Sequence, residues 1–454
     1  MNIVLVFPPL YGVDMPPLGL AYIAGQLIKH GHEVKVFCFN SQLYNEDKNK
    51  SSLWDWDKTA EWATLDKINR HFDVKALIEK WTQDILKHNP RVVGISTNNY
   101  SRILANLLAD KIKEKNKSIC VIFGGPWCTE VLENNQLNEN VDIYVRGEGE
   151  AIITVLAERI SKNESIRDCN VKGTIVNTGS GFKDNGWSDE PLDINNIPSP
   201  ALDLFDFKNY TNQDEIPIIF SRGCNYNCKF CTDKPIWGNH RMRKASDIAG
   251  EMIKHSEMFK RKKFKCNDLM VNGDLSQLND LCGLMIKENL NFEWGSMARA
   301  RPDMTQEMFD KLKQAGCIYL TYGVESGAAK VLKHMGKPTK KTISQALKMT
   351  HAAKIKVNTL WMVGYPVESW LDLAETMSFL FFNKKNIDEF VSVSACYIPK
   401  KSWLGSQEDA FKIEYNDKFE WYIRNINMPY VRELRRKILM SFAKRLGLYR
   451  GGIK

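Results

Sequence analysis

The chain has 454 residues, of which 43% are hydrophobic and 26% charged; this is the ordinary globular range and enough to bury more than one core, so two or three domains are expected. No apolar run reaches the roughly 18 to 20 residues of a membrane span, Met1 to Phe7 lacks the basic start and length of a signal peptide, and eleven scattered cysteines do not form a secreted disulfide framework. A soluble, cytoplasmic protein in a reducing compartment is expected. The formal charge of +9 is uneven, because residues 424–454 carry nine Lys or Arg against Glu433 alone.

In chain order, Asn2 to Phe7 reads as a buried strand stopped by Pro8 and Pro9. Leu18 to Lys29 places Leu20, Ile23, Ala24, Leu27 and Ile28 on one helical face, and Gly31 ends the helix before a strand at Val34 to Phe39. The alternation continues through Val92–Ser96, Leu104–Ile112, Ile119–Phe123, Val141–Val145 and a helix from Glu150. This predicts a doubly wound parallel sheet over residues 1–160. Residues 41–89 form an insertion whose Trp54, Trp56, Trp62 and Trp81 read as core contacts.

Residues 161–205 read as a linker, rich in polar residues and glycine. A second series follows over 206–396, with strands expected at Pro217–Ser221, Leu269–Asn272, Phe292–Met297, Ile318–Val324, Val357–Val363 and Phe390–Ala395. Six strand–helix units predict a partial (β/α)6 barrel with its chemistry at the strand C-terminal ends. Residues 397–454 are expected to be a small, mostly helical cap, with a last helix packed through Leu434, Ile438, Phe442 and Leu446 and a solvated basic face. The Lys260 to Lys265 run reads as an exposed face.

The segment SRGCNYNCKFCTD sets Cys224, Cys228 and Cys231 in a loop directly after a strand. Three thiolates at Cys-x-x-x-Cys-x-x-Cys spacing suit a 4Fe-4S cubane with one iron left open. Zinc is the alternative, but a structural zinc site closes with four ligands, and only His240, nine residues on, could supply the fourth.

From this triad onward the sequence resembles the radical S-adenosylmethionine (SAM) superfamily over roughly residues 205–400. The resemblance implies that SAM chelates the open iron and is cleaved to methionine and a 5'-deoxyadenosyl radical, the cofactors carrying the hard chemistry. It also implies a SAM-binding set: Phe230 beside the last cysteine; Gly273 and Asp274 for the methionyl amino group; Arg301, ahead of Arg299, for the carboxylate; Glu325 in Gly323-Val324-Glu325-Ser326; and Gly364 and Tyr365 toward the adenine. Asn272 and Asp274 depart from the family's Gly-Gly-Glu.

Residues 1–160 resemble the cobalamin-binding domain that precedes the radical core in one large subfamily. The matching pieces are Pro16-Pro17-Leu18-Gly19-Leu20, Val93-Gly94-Ile95-Ser96, Gly124-Gly125-Pro126 and Arg146-Gly147-Glu148-Gly149-Glu150. The resemblance places cobalamin against Pro17, Leu18, Gly19, Ser96, Thr97, Asn98, Asn99, Tyr100, Gly124, Gly125, Gly147, Glu148 and Gly149. Asp-x-His-x-x-Gly is absent, so no histidine is expected below the cobalt; Asn98, Asn99 or Tyr100 would lie nearest that face.

Together these readings imply a cobalamin-dependent radical SAM methyltransferase acting on an unactivated carbon or phosphorus of a small molecule or peptide, with a flavodoxin or ferredoxin as reducing partner. The alternatives are a non-methylating rearrangement, ring contraction or cyclisation, and an RNA-modifying radical enzyme. The last would need a second cluster, and Cys38, Cys120, Cys128 and Cys169 lack its spacing, so a nucleic-acid partner is not expected. A non-catalytic corrinoid carrier would not need the triad. Tyr397, Lys400 and Trp403 are the expected substrate contacts.

Overall fold

The apolar run Asn2–Phe7 forms strand β1, buried along almost its whole length, because parallel strands flank it on both sides: β2 (Glu33–Cys38) and β3 (Val92–Ser96). Continuous apolar runs mark strands covered on both faces. β4 (Cys120–Gly124) and β5 (Ile143–Val145) extend the parallel set. The computed structural model describes residues 1–129, 131, 136–188, 191–399, 402–416 and 420–449. Its chain divides into two compact units, the first Met1–Asp214 and the second beginning at Glu215.

In the first unit the strand order is β2-β1-β3-β4-β5, followed by two antiparallel strands, β6 (Thr174–Asn177) and β7 (Phe182–Asp184). The order reverses between β1 and β3, and such a switch point opens a crevice at the strand C-terminal ends. The helices Leu18–Lys29, Val74–Leu86 and Arg102–Lys115 lie in the crossovers between the parallel strands, and Glu150–Ser161 follows β5. The segment 161–205, read as a linker, instead contributes β6 and β7. Its short strand was hidden among turn-forming glycines, and Thr174, Ile175 and Val176 are buried. Of the insertion tryptophans, Trp62 and Trp81 are core, as expected, Trp81 stacking on Phe39 at 4.7 Å; Trp54 packs half-buried against the same core, and the Trp56 side chain lies outside the described residues.

The second unit carries six parallel strands in the order β15-β14-β13-β12-β11-β8. These are β8 (Glu215–Ile218), β11 (Lys263–Cys266), β12 (Glu293–Ala298), β13 (Cys317–Glu325), β14 (Lys356–Val363) and β15 (Glu389–Ala395). Between β8 and β11 lies a two-residue ladder of β9 (Ser221–Arg222) against β10 (Arg241–Met242). Strands separated by helices and running one way give the partial-barrel pattern.

Two expectations need correction here. The second strand of this sheet is Lys263–Cys266, not Leu269–Asn272, which lies past the strand end. Phe264 and Cys266 are buried while the lysines alternate outward, so a lysine-rich segment that looked solvated is a strand paired on both sides. The last helix, Pro429–Arg445, does not pack through the expected stripe. Leu434 is 49% exposed, whereas Arg432, Arg435, Leu439 and Ala443 are buried. Burial of two guanidinium groups is tolerated because each finds acceptors inside the unit. A short hairpin, β16 (Glu414–Tyr415) with β17 (Trp421–Tyr422), precedes that helix.

Candidate active site at the strand ends

Eleven cysteines are present and none is bridged; eight are buried, and the three that are not are Cys224, Cys228 and Cys231. Partial exposure is what separates reactive or ligating thiols from inert core ones. The loop that holds them leaves β9 at Gly223, whose φ of 80° brings the backbone against Asn239; a Cβ there would lie 2.1 Å from the Asn239 carbonyl oxygen. The loop closes on itself where Cys224 N–H donates to Gly238 O at 3.1 Å and where the Lys234 ammonium donates to Asn239 Oδ1 at 2.6 Å and to the Cys224 carbonyl. It is tied to the helix Ala329–Met335 by Lys229 N–H donating to Met335 O at 3.1 Å.

Arg299, just past β12, reaches this loop. Its Nη1 donates to Cys228 Sγ at 3.2 Å, its Nη2 to Gly336 O at 2.8 Å, and its guanidinium lies 3.8 Å from the Tyr226 ring centroid. Burial pushes the Cys231 thiol up. Among the described residues no three His, Cys, Asp or Glu side chains converge on one metal-ion position; a cubane, with each thiolate on a different iron, requires no such convergence.

The other expected SAM residues all lie at the same sheet edge. Gly273 follows β11, and the His240 ring occupies the place a Cβ would take, 2.2 Å away. His240 Nε2 is buried without a hydrogen-bond partner among the described residues, and burial lowers this histidine's pKa. Asp274 caps the helix Leu275–Lys287, accepting from Gln277 N–H at 3.0 Å. Arg301 pairs with Asp303 at 2.6 Å and donates to the carbonyls of Asn272 and Gly273 at 2.7 and 3.0 Å. It therefore fixes the turn after β11, while Arg299 takes the position beside the thiols.

Glu325 ends β13 with φ 66° and pairs with Lys337 at 3.2 Å. Phe230 lies under the same lysine, 5.6 Å from its Nζ. Gly364 follows β14 with φ 74°, and the Tyr365 hydroxyl meets His334 Nδ1 at 3.0 Å.

Sequence reasoning missed what holds the turn at Gly364. Its N–H donates to Glu368 Oε2 at 2.6 Å, its carbonyl accepts from Asn427 Nδ2 at 2.9 Å, and the Arg432 side chain packs where a Cβ would stand. Arg435 closes the cluster, donating to Glu368 Oε2 at 3.2 Å with both side chains almost fully buried. Burial pushes the Glu368 carboxyl up to about 7, against the lowering contributions of the Gly364 N–H and Arg435. The C-terminal helix is thus the support of this strand end. The excess of arginine there was visible, but which arginines turn inward was not.

Among the expected substrate contacts, Tyr397 is 59% and Trp403 47% exposed, and the Lys229 ammonium sits 4.6 Å from the Trp403 ring. Lys400 lies outside the described residues.

In the first unit the expected cobalamin residues line the C-terminal edge of the parallel strands. Thr97 N–H and hydroxyl donate to Gly124 O at 2.7 and 2.9 Å. Asn98 accepts from Tyr100 and Ser101 N–H at 2.8 and 3.0 Å and donates to Leu10 O at 3.0 Å, bridging the loops after β1 and β3 at the switch point. Asn99 and Tyr100 are exposed. Gly125 and Gly147 have φ of 94° and 72°, and Glu148 accepts from Leu192 N–H at 3.2 Å. Ser96 Oγ abuts Gly125, Pro17 precedes and Leu18 opens the helix Leu18–Lys29, and Gly149 precedes the helix Glu150–Ser161. Gly19 and Gly124 have nothing within 4 Å of the position a Cβ would fill, which leaves backbone open to close approach by a flat ligand.

A parallel sheet whose strand ends gather a three-thiol loop and glycine turns defines a class, and residues 218–380 match the family model "Radical SAM superfamily". Those residues form a radical SAM domain, and that family implies a 4Fe-4S cluster and SAM. The chain is 26% identical over 399 residues to "Uncharacterized methyltransferase PH0819" of Pyrococcus horikoshii, covering 84% of this chain and 77% of that one. It is 24% identical to "Cytidylyl-2-hydroxyethylphosphonate methyltransferase" of Streptomyces wedmorensis, covering 79% and 71%. Its fold matches the solved structure of "Cobalamin-dependent S-adenosylmethionine radical enzyme OxsB with aqua-cobalamin and S-adenosylmethionine bound", with TM-score 0.71, 17% identity, and 98% and 67% of the two chains covered.

Proposed function

We propose that the protein is a cobalamin-dependent radical SAM methyltransferase that methylates an unactivated carbon or phosphorus centre of a small-molecule or peptide substrate. The observation that carries this reading is the pairing, in one chain, of the half-exposed triad Cys224, Cys228 and Cys231 with a switch-point sheet whose strand ends keep open glycines. The fold likeness to a protein that binds both cofactors spans almost the whole chain, and two relatives are named methyltransferases.

When bound, the cluster would supply the electron that cleaves SAM, and cobalamin the methyl group. The chain's own residues hold and orient. The three cysteines would carry the cluster, and Arg299 donates a hydrogen bond to Cys228 Sγ. SAM would lie at the strand ends among Gly273, Asp274, Arg301, Glu325, Phe230, Gly364 and Tyr365, with His240 packed on Gly273 and Arg432 on Gly364. Gly19, Gly124, Gly125, Gly147 and Gly149 would receive the corrin, and the exposed Asn99 and Tyr100 would be the side chains nearest its lower face.

The test is iron, sulfide and cobalt content after anaerobic purification from cobalamin-supplied cells, followed by product mass with candidate substrates. Near four iron and one cobalt, with only iron lost in the Cys224→Ala, Cys228→Ala, Cys231→Ala variant, is expected. Iron without cobalt would remove cobalamin from the proposal, and a product without one added CH2 would remove methylation.

A further inference from the structure

At the strand C-terminal edge of the second unit lies a cavity of about 470 Å3 lined by Lys229, Lys330, Lys333, His334 and Val367. A larger one of about 780 Å3 lies between the outer helices Leu275–Lys287 and Gln306–Gln314, is lined by both signs of charge, and is remote from the strand ends. The smaller cavity is built from three separate pieces of the site. Lys229 comes from the cysteine loop; Lys330, Lys333 and His334 come from the helix Ala329–Met335; and Val367 follows the Gly364 turn.

Its charge is one-sided. Of the three lysines only Lys330 has a carboxylate partner among the described residues, Asp372 at 3.6 Å. Lys229 instead lies over Trp403 at 4.6 Å. The His334 ring is held between the Tyr365 hydroxyl, 3.0 Å from Nδ1, and the Phe411 ring, 5.2 Å away. Its pKa is lowered by burial and then by the charge on Lys229. Lys229 and Lys333 have no carboxylate partner among the described residues, and an anion bound between neighbouring ammonium groups lowers their mutual repulsion. Compact lysine charges suit a phosphate, and a cavity of this size takes a phosphoryl group together with part of the molecule that bears it.

We infer that this cavity is an anion subsite for a phosphate or pyrophosphate group, and that the substrate is a phosphorylated small molecule. The assignment of the ligand as substrate rests on the methyltransferase reading; the binding itself does not.

Inorganic pyrophosphate titrated calorimetrically into the anaerobic, cluster-loaded enzyme at low salt tests the site without turnover. Binding is expected, weakened at least tenfold in Lys333→Gln, further in Lys229→Gln/Lys333→Gln, and steeply by added salt, with the exposed-site control Lys341→Gln matching the parent. Lys333 is exposed on its helix, so its variant is expected to fold, and iron content checks the loop in the double variant. Absence of binding in the parent, equal binding in Lys333→Gln, or displacement of pyrophosphate by SAM would overturn the proposal. So would a Lys333→Gln enzyme that is reduced more slowly by an acidic flavodoxin yet binds pyrophosphate as the parent does, since the lysines would then be a docking surface. Intact pyrophosphate binding alongside products of unchanged carbon count would sink the methyltransferase reading and leave the anion site standing.

Discussion

Arg299 donates a hydrogen bond to Cys228 Sγ at 3.2 Å while its guanidinium carbon lies over the Tyr226 ring, 3.8 Å from the centroid. A cation so placed is held by the ring and by Gly336 O, and a hydrogen bond to a cluster thiolate stabilises added negative charge. Arg299→Met is expected to retain most of its iron but shift the midpoint potential of the reconstituted cluster down by tens of millivolts, to order of magnitude; Arg299→Lys should fall between. A potential unchanged in both variants in an EPR-monitored titration would show the contact to be packing alone.

The buried pair Arg435 and Glu368 supports the turn at Gly364. Removing only the cation strands a carboxyl group in the core, so Arg435→Met is expected to cost about 3 to 5 kcal/mol in denaturant unfolding of the second unit. Glu368→Gln with Arg435→Met should recover most of it, because neither buried charge is then left alone. If the double variant is no more stable than the single one, the pair is not the source of the effect.

Asp268 is fully buried where it accepts from Phe220 N–H at 2.9 Å and Ser221 Oγ at 2.7 Å, at the root of the cysteine loop. Burial pushes its carboxyl up to about 6 from 3.8. A raised folded-state pKa means the folded protein holds this proton more tightly than the unfolded one. The stabilisation is therefore complete below about pH 4 and is lost as pH rises through 6, by on the order of 3 kcal/mol. Asp268→Asn should flatten that part of the stability profile, and a slope identical to the parent's between pH 4 and 6 would contradict this.

Gly125 has φ 94°, and a Cβ would stand 2.6 Å from Thr97 O, a backbone atom that cannot rotate aside. Gly125→Ala is expected to destabilise the first unit by about 1 to 3 kcal/mol and to reduce cobalt uptake while leaving iron near the parent's level. Loss of both metals together would mean general misfolding rather than a local effect at the strand end.

What the sequence determined by itself was whatever is encoded by short spacing. Cys224, Cys228 and Cys231 sit within one loop, β1 and the helix Leu18–Lys29 follow from local apolar patterns, and the strand-end turns at Gly125 and Gly364, with φ of 94° and 74°, use backbone that favours glycine. Even local patterns failed where charge masked them, as in the lysine-bearing strand Lys263–Cys266. Tertiary structure alone decided which charged side chains meet. It put Arg299 rather than Arg301 beside the thiols, turned Arg432 and Arg435 inward, and brought Lys229 to Lys333 around one cavity. A long cationic side chain is equally at home in water or buried against acceptors, so its fate depends on partners scores of residues away that no local pattern names.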